Sequence, residues 1–92
     1  LYITDVEISE EIADKIAAKH NVSEREVYEL FENPDDPLII RRSQKVKGRH
    51  IAFGRTYSGR YLVIPFVLRD DIVTVVSARD TTDRERRLYL RS

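Results

Sequence analysis

The sequence contains no cysteine, no methionine and no tryptophan, and only three glycines and three prolines. Without cysteine there is no disulfide framework and no thiolate metal site, and two isolated histidines cannot build a zinc site without several carboxylates. A reducing compartment is compatible with this. No apolar run approaches the roughly 20 residues of a membrane span, and the acidic start shows no basic segment followed by an apolar core of the secretory kind. The expectation is a soluble, cytoplasmic protein with no membrane contact. The lack of methionine, with Leu1 in first place, suggests that a few residues precede it. No repeat, low-complexity stretch or linker is visible, so the 92 residues read as one domain, 1–92. Hydrophobic residues make up 41%, enough for a modest core, and charged residues 35%, enough to keep it in solution.

Net charge is also lacking, at a formal value of zero, but this conceals a sorting along the chain. Residues 1–37 hold eleven Asp and Glu against three Lys and Arg. Residues 38–60 hold seven cations, Arg41, Arg42, Lys45, Lys47, Arg49, Arg55 and Arg60, and no acid. The remaining residues carry six cations against five acids. Clustered cations are what a polyanion requires whatever the total charge, so the middle segment reads as an RNA footprint comprising Arg41, Arg42, Lys45, Arg49, His50 and Arg60. The alternative is that acidic helices lie beside a basic sheet and neutralise it.

Local patterns supply the elements. Ile12, Ala13, Ile16 and Ala17 recur at helical spacing from Ser9 to His20, and Asn21 can close that helix in a left-handed conformation. Ser23-Glu24-Arg25-Glu26 is a capping box opening a second helix, which Asn33-Pro34 and Asp36-Pro37 end. Four strands follow, Leu38–Arg42, Arg49–Tyr57, Arg60–Leu68 and Ile72–Arg79, pairing as three successive antiparallel hairpins. The third is apolar on both faces, while Pro65 within it argues for a bulge or an unpaired edge. Thr82-Asp83-Arg84-Glu85 is a second capping box, opening a C-terminal helix to about Arg91. The class is therefore α+β: two N-terminal helices, a four-stranded antiparallel sheet and a C-terminal helix.

Three segments carry a family resemblance. Lys19-His20-Asn21-Val22-Ser23 with Phe31 resembles the KHGVS…F signature of the BrnT toxins. Arg49–Thr56 followed by Gly59-Arg60-Tyr61-Leu62-Val63 resembles their paired GR strands, and Ser77-Ala78-Arg79 with Arg84-Glu85-Arg86 and Tyr89 resembles their SAR…RERR-x-Y ending. The sequence departs from the pattern at Asn21, where Gly is usual, at Glu24, where an apolar residue is usual, and at His50, where Phe or Tyr is usual. The resemblance implies a RelE-like fold, a metal-independent endoribonuclease that blocks translation without a cofactor, and a BrnA-like antitoxin with a ribbon-helix-helix part. Rival readings on the same scaffold are a non-catalytic nucleic-acid binder and a ParE-like topoisomerase inhibitor.

Metal-free RNA cleavage uses the ribose 2′-hydroxyl as nucleophile, so the protein must stabilise a dianionic pentacoordinate phosphate and move two protons. Arginine suits the first task through its planar, permanently charged fork. Arg79, where the last strand turns toward the final helix, is the first candidate; a structural pairing with Asp80 or Asp83 is its alternative. Arg55 follows, sharing a strand face with Arg49 but also with Ile51 and Phe53. Lys47 sits in the basic connection Ser43–Gly48, where the plain reading is a solvated loop lysine. Glu85 and Tyr89, four apart on one helix face, are candidates for proton transfer, with Glu85 also the natural capping partner of Thr82. His50 offers an imidazole, the side chain that exchanges protons near neutrality, against a packing role. His20 reads as a helix C-cap. Asp35-Asp36 and Asp70-Asp71 read as turns rather than a Mg²⁺ pair, and Gly48, Gly54 and Gly59 form no phosphate loop.

Overall fold

The computed structural model describes residues 3–33 and 38–91. Helix α1 (Glu10–His20) begins where the Ser9 hydroxyl accepts the amide of Ile12 at 3.2 Å, with Glu10 and Glu11 in its first turn and Lys19 and His20 in its last, as the helix dipole favours. It stops at Asn21, left-handed at φ 53° and ψ 39°, whose N–H turns back to the last carbonyls. Helix α2 (Glu24–Glu32) opens with the full capping box: the Ser23 hydroxyl accepts from the Glu26 amide, and the Glu26 carboxylate accepts from the Ser23 amide. It ends at Asn33; the turn expected over Pro34–Pro37 lies outside the described residues.

The sheet is larger than the expected four antiparallel strands. Its strands are β1 (Asp5–Glu7), β2 (Ile39–Arg42), β3 (Arg49–Arg55), β4 (Tyr61–Arg69), β5 (Ile72–Val75) and β6 (Arg79–Asp80), in the order β1-β5-β4-β3-β2, with β6 on β4. The three expected hairpins, β2–β3, β3–β4 and β4–β5, are all present and antiparallel. The corrections are at the far side. Three residues of the acidic N-terminal stretch pair with β5 in parallel, making the sheet mixed, and the fourth expected strand divides into β5 and β6.

Pro65 explains that division. It occupies the central strand, opposite Ile51, rather than an edge. Its carbonyl accepts the amides of Val76 and Ser77 at 2.9 and 3.4 Å, which places its missing N–H on the β5–β6 side of the strand. On that side β5 pairs only with Phe66–Arg69 and β6 only with Leu62–Val63, so the proline falls where neither ladder needs a donor. The irregularity expected of Pro65 thus appears in its neighbour, as the excursion through Val76–Ala78.

Alternation along the strands separates two faces. Leu62, Ile64 and Phe66 of β4, Ala52 of β3, and Val73 and Val75 of β5 pack with Ile16, Val22, Val27 and Leu30 of the N-terminal helices, all nearly inaccessible to water. Phe31 meets Phe66 edge-on at 5.9 Å. The third helix, α3 (Asp83–Arg91), starts at the second capping box, with Thr82 and Glu85 exchanging bonds of 2.9 and 3.1 Å. It lies on the opposite face, where Tyr89 sits against Tyr61.

Gly54 carries the motif's tight approach of helix to sheet: a Cβ there would stand 2.8 Å from Leu30 Cγ and 3.0 Å from its Cδ1. Gly54→Ala is expected to destabilise the fold by about 1–3 kcal/mol as Leu30 is displaced from a filled core. Urea unfolding checks this, and an unchanged midpoint would contradict the contact.

Candidate functional site

Strand register places four arginines on the face away from α1 and α2. Arg41 stands opposite Ile51, Arg49 opposite Val67, Arg55 opposite Tyr61 and Arg79 opposite Val63, and all fall on the side opposite to Ala52, Ile64 and Phe66. At one end of this face α3 builds a wall. Tyr89, 8% exposed, packs edge-on to Tyr61 with ring centres 5.7 Å apart. Two guanidinium groups lie over the Tyr61 ring, Arg55 at 5.7 Å and Arg86 at 5.5 Å from its centre.

Arg79 is held there by a forked ion pair. Its two terminal nitrogens donate to the two carboxylate oxygens of Glu85 at 2.8 and 2.9 Å, and one of them also reaches the carbonyl of Asp80 at 3.1 Å; these bonds leave Nε outside them. Glu85 serves Arg79 and the helix cap together, since its carboxylate also accepts the Thr82 amide. The Arg79 bonds, aided by the Thr82 amide and outweighing burial, hold the Glu85 carboxyl at about 2. Glu85 therefore stays ionised near neutrality and acts here as a positioning group. The pairing weighed for Arg79 in the sequence, with the side chains of Asp80 or Asp83, is replaced by Glu85, although Asp80 contributes through its backbone.

Arg60 is occupied elsewhere. All three of its guanidinium nitrogens are engaged: with Asp80 at 2.7 and 3.0 Å, with both Glu26 oxygens at 3.1 Å, and with the carbonyls of Asn21 and His20 at 2.7 and 3.1 Å. The bonds to Asp80 raise its pKa, and Asp80 is correspondingly lowered. Burial works against ionisation of Glu26, but the Ser23 amide and Arg60 prevail and keep it below the usual carboxylate range.

Of the remaining cations, Arg41 shares a recess with Glu85, Leu88 and Tyr89, and the others gather at the other end of β3. The six steps from Arg49 to Arg55 span about 20 Å at roughly 3.3 Å per residue, so Lys45, Lys47, Arg49 and His50 are not brought to Arg79 and Tyr89. The turn between β2 and β3 is closed by Ser43, whose hydroxyl accepts the amides of Lys45 and Val46 and whose amide donates to the Arg49 carbonyl at 2.8 Å. Arg41, Arg42, Lys45, Lys47 and Arg49 have no ion-pair partner among the described residues. His50 and Arg42 fall on the helix side by register, and His50 stacks on Phe66 at 5.4 Å and 19°, which fits its packing alternative. Arg86 and Tyr61 were not singled out as site residues in the sequence. Arg86 lies three residues before Tyr89 on α3, and that helical spacing was the available signal.

Among the described residues no three His, Asp or Glu side chains converge as a metal site, and no helix is long and apolar enough to cross a membrane.

The depressed Glu85 carboxyl fixes a pH window. A group with a lowered folded-state pKa stabilises above its unfolded value, here 4.5, and loses that contribution as pH falls toward about 2. Wild type is expected to exceed Glu85→Gln by about 1–3 kcal/mol at neutral pH, after allowing for the part-exposed Arg79, with the gap closing below pH 4.5. Urea unfolding of both proteins across pH 7 to 3 measures it; a gap independent of pH would contradict the ion pair.

The sequence profile of the family described as "Ribonuclease toxin, BrnT, of type II toxin-antitoxin system" matches residues 10–85. The structure is similar to the crystal structure of the Brucella abortus ribonuclease toxin BrnT, with a TM-score of 0.68 over 87% of this chain and 99% of that one. Identity is 16%, so this likeness speaks for the fold alone. No curated protein sequence matches the chain. A profile match over most of the length, carried on the expected fold, places the chain in the BrnT family of ribonuclease toxins of type II toxin–antitoxin systems.

Proposed function

We propose that this toxin cleaves RNA without a metal ion, at the end of the open sheet face where Arg55 and Arg86 lie over Tyr61 and Arg79 stands opposite Val63, and blocks translation by doing so. The observation that carries this reading is the arrangement of Arg41, Arg49, Arg55 and Arg79 on the one sheet face that α1 and α2 leave uncovered. An array of cations attracts a phosphate chain and disfavours a divalent ion beside it.

In the reaction the 2′-oxygen attacks the adjacent phosphorus and loses its proton, the bond from phosphorus to the 5′-oxygen breaks, and that oxygen takes up a proton. The products are a 2′,3′-cyclic phosphate and a 5′-hydroxyl. Arg79 and Arg55 stabilise the extra charge on the phosphoryl oxygens. Glu85 aims Arg79 and takes no part in proton transfer, for which the phenol of Tyr89 is this cluster's candidate. Arg41 and Arg49 guide the strand along the face, and Arg60, committed to its brace, stands outside the interface.

A cognate antitoxin, BrnA-like with a ribbon-helix-helix part, silences the toxin by laying an acidic surface over the same face. The charge sorting of the chain supports this, since the open face presents cations that an acidic partner complements.

Arg79→Ala is expected to lower the cleavage rate by roughly 10²–10³, the usual cost of one donor to developing charge, with a much smaller change in RNA affinity. Cleavage should persist in EDTA and leave cyclic phosphate ends. Wild-type protein that binds RNA but leaves it intact, with and without ribosomes and Mg²⁺, would overturn the reading in favour of a binding module.

A further inference from the structure

Between α3 and the open sheet face lies a recess of about 90 Å³. Ile39 of β2 and Phe53 of β3 line it from the sheet, standing opposite each other in the ladder, with Arg41 two residues further along the same face. Glu85, Leu88 and Tyr89 line it from α3, spaced three and four apart on one side of the helix. Alternation along the strands and helical spacing along α3 thus bring both sets of side chains to the same space. Its size is far below the roughly 300–1,000 Å³ of a site for a drug-sized ligand and is on the scale of a single flat ring.

The lining is apolar apart from the charges of Arg41 and Glu85 and the Tyr89 phenol. Arg41 is exposed and has no ion-pair partner among the described residues. Glu85 accepts Arg79 and the Thr82 amide on Oε1 and Arg79 alone on Oε2. A carboxylate has about four acceptor positions, so one remains on Oε2. An aliphatic side chain pushed into the recess would take water from that position and return no donor, which is costly for an ionised group. A nucleobase suits it better. Its flat faces pack on Phe53 and on Leu88, which is 54% exposed, while the edge of every RNA base carries an N–H that a carboxylate accepts. The guanidinium of Arg41 adds a plane that stacks on such a ring and a charge that attracts its phosphate.

Resting on the ribonuclease reading above, we propose that this recess is a nucleobase subsite, which takes one unstacked base of the RNA beside the scissile phosphate. Its place follows from continuity: Glu85 and Tyr89 wall the recess and also belong to the Arg79 centre, so a base seated against them lies next to the phosphate that Arg79 engages. Glu85 then links the two, aiming Arg79 with its fork and receiving the edge of the base. Phe53 and Leu88 become specificity-determining residues, since they touch the base and not the reacting atoms. A base that is stacked and paired within a duplex cannot enter, so the substrate class is single-stranded RNA.

The test compares two probes of equal length: a short single-stranded oligoribonucleotide carrying 2′-O-methyl groups, so that it is not cleaved, and the same sugar–phosphate chain without bases. Ring currents from a seated base should shift the methyl resonances of Ile39 and Leu88 when the first probe binds, and the second should leave them in place. Leu88→Ala is expected to weaken binding of the first probe roughly fivefold, toward the lower end of what one stacked base contributes, and to leave binding of the second unchanged. Leu90→Ala, on the same helix and 63% exposed but outside the recess, should change neither. Methyl resonances that stay in place while the base-bearing probe is bound would overturn the subsite, as would a Leu88→Ala loss that is absent, equal for both probes or matched by Leu90→Ala. Methyl shifts that arise with a co-purified antitoxin and not with RNA would assign the recess to an apolar side chain of that partner and overturn the proposal equally. Failure of the ribonuclease reading has a different signature: a probe that is bound with the expected methyl shifts, while cleavable RNA of the same sequence stays intact.

Discussion

The guanidinium of Arg60 ties together parts of the chain that are far apart in sequence. It closes the carbonyl end of α1, holds Glu26 at the start of α2 and pairs with Asp80 of β6. From Asp80 the order passes on: its carbonyl takes Arg79, Arg79 forks onto Glu85, and Glu85 caps the helix that sets Tyr89 against Tyr61. Hydrogen bonds between charged groups contribute about 1.5–3 kcal/mol each where they are partly shielded from water. A relay of such bonds can hold a short strand that has only two residues of ladder of its own. The site is therefore built on the outcome of this brace, even though Arg60 itself faces the helices.

This separates the cations into two working classes. Arg60 and Arg79 are neutralised by carboxylates and held in defined directions, which suits stabilising charge at one point. Arg41, Arg42, Lys45, Lys47 and Arg49 carry no such partner among the described residues and keep their full attraction for a polyanion. A chain of zero net charge can thus present a basic surface, because its acids are used in the helices and in the two braces.

The legible parts of the fold were those with local causes. Ser23 with Glu26, Thr82 with Glu85, and Asn21 each announce a helix end within four residues, and the three hairpins follow from apolar runs broken by Ser58-Gly59 and Asp70-Asp71. Strand β1 was not legible. Three residues, Asp5-Val6-Glu7, are too short for alternation to register, and their parallel partner lies 67 positions away in the case of the Thr4 to Asp71 bond. The split of the last strand followed from Pro65 in its neighbour, a cause that acts across the sheet. In the site, residue types and faces could be read by alternation, as for Arg55 and Arg49. The partners could not, because Arg60 meets Asp80 and Glu26 across 20 and 34 residues.

If the relay from Arg60 to Arg79 sets the catalytic geometry, disturbing its origin must slow the chemistry without touching the RNA surface. The direct measurement is single-turnover cleavage by Arg60→Gln, a variant first shown to be folded, beside its RNA affinity. A misplacement of even about 1 Å can cost on the order of 10²-fold in rate, so the predicted result is a rate at least tenfold lower with affinity within a factor of about two. An unchanged rate in the folded variant, or a loss of affinity matching the loss of rate, would contradict it.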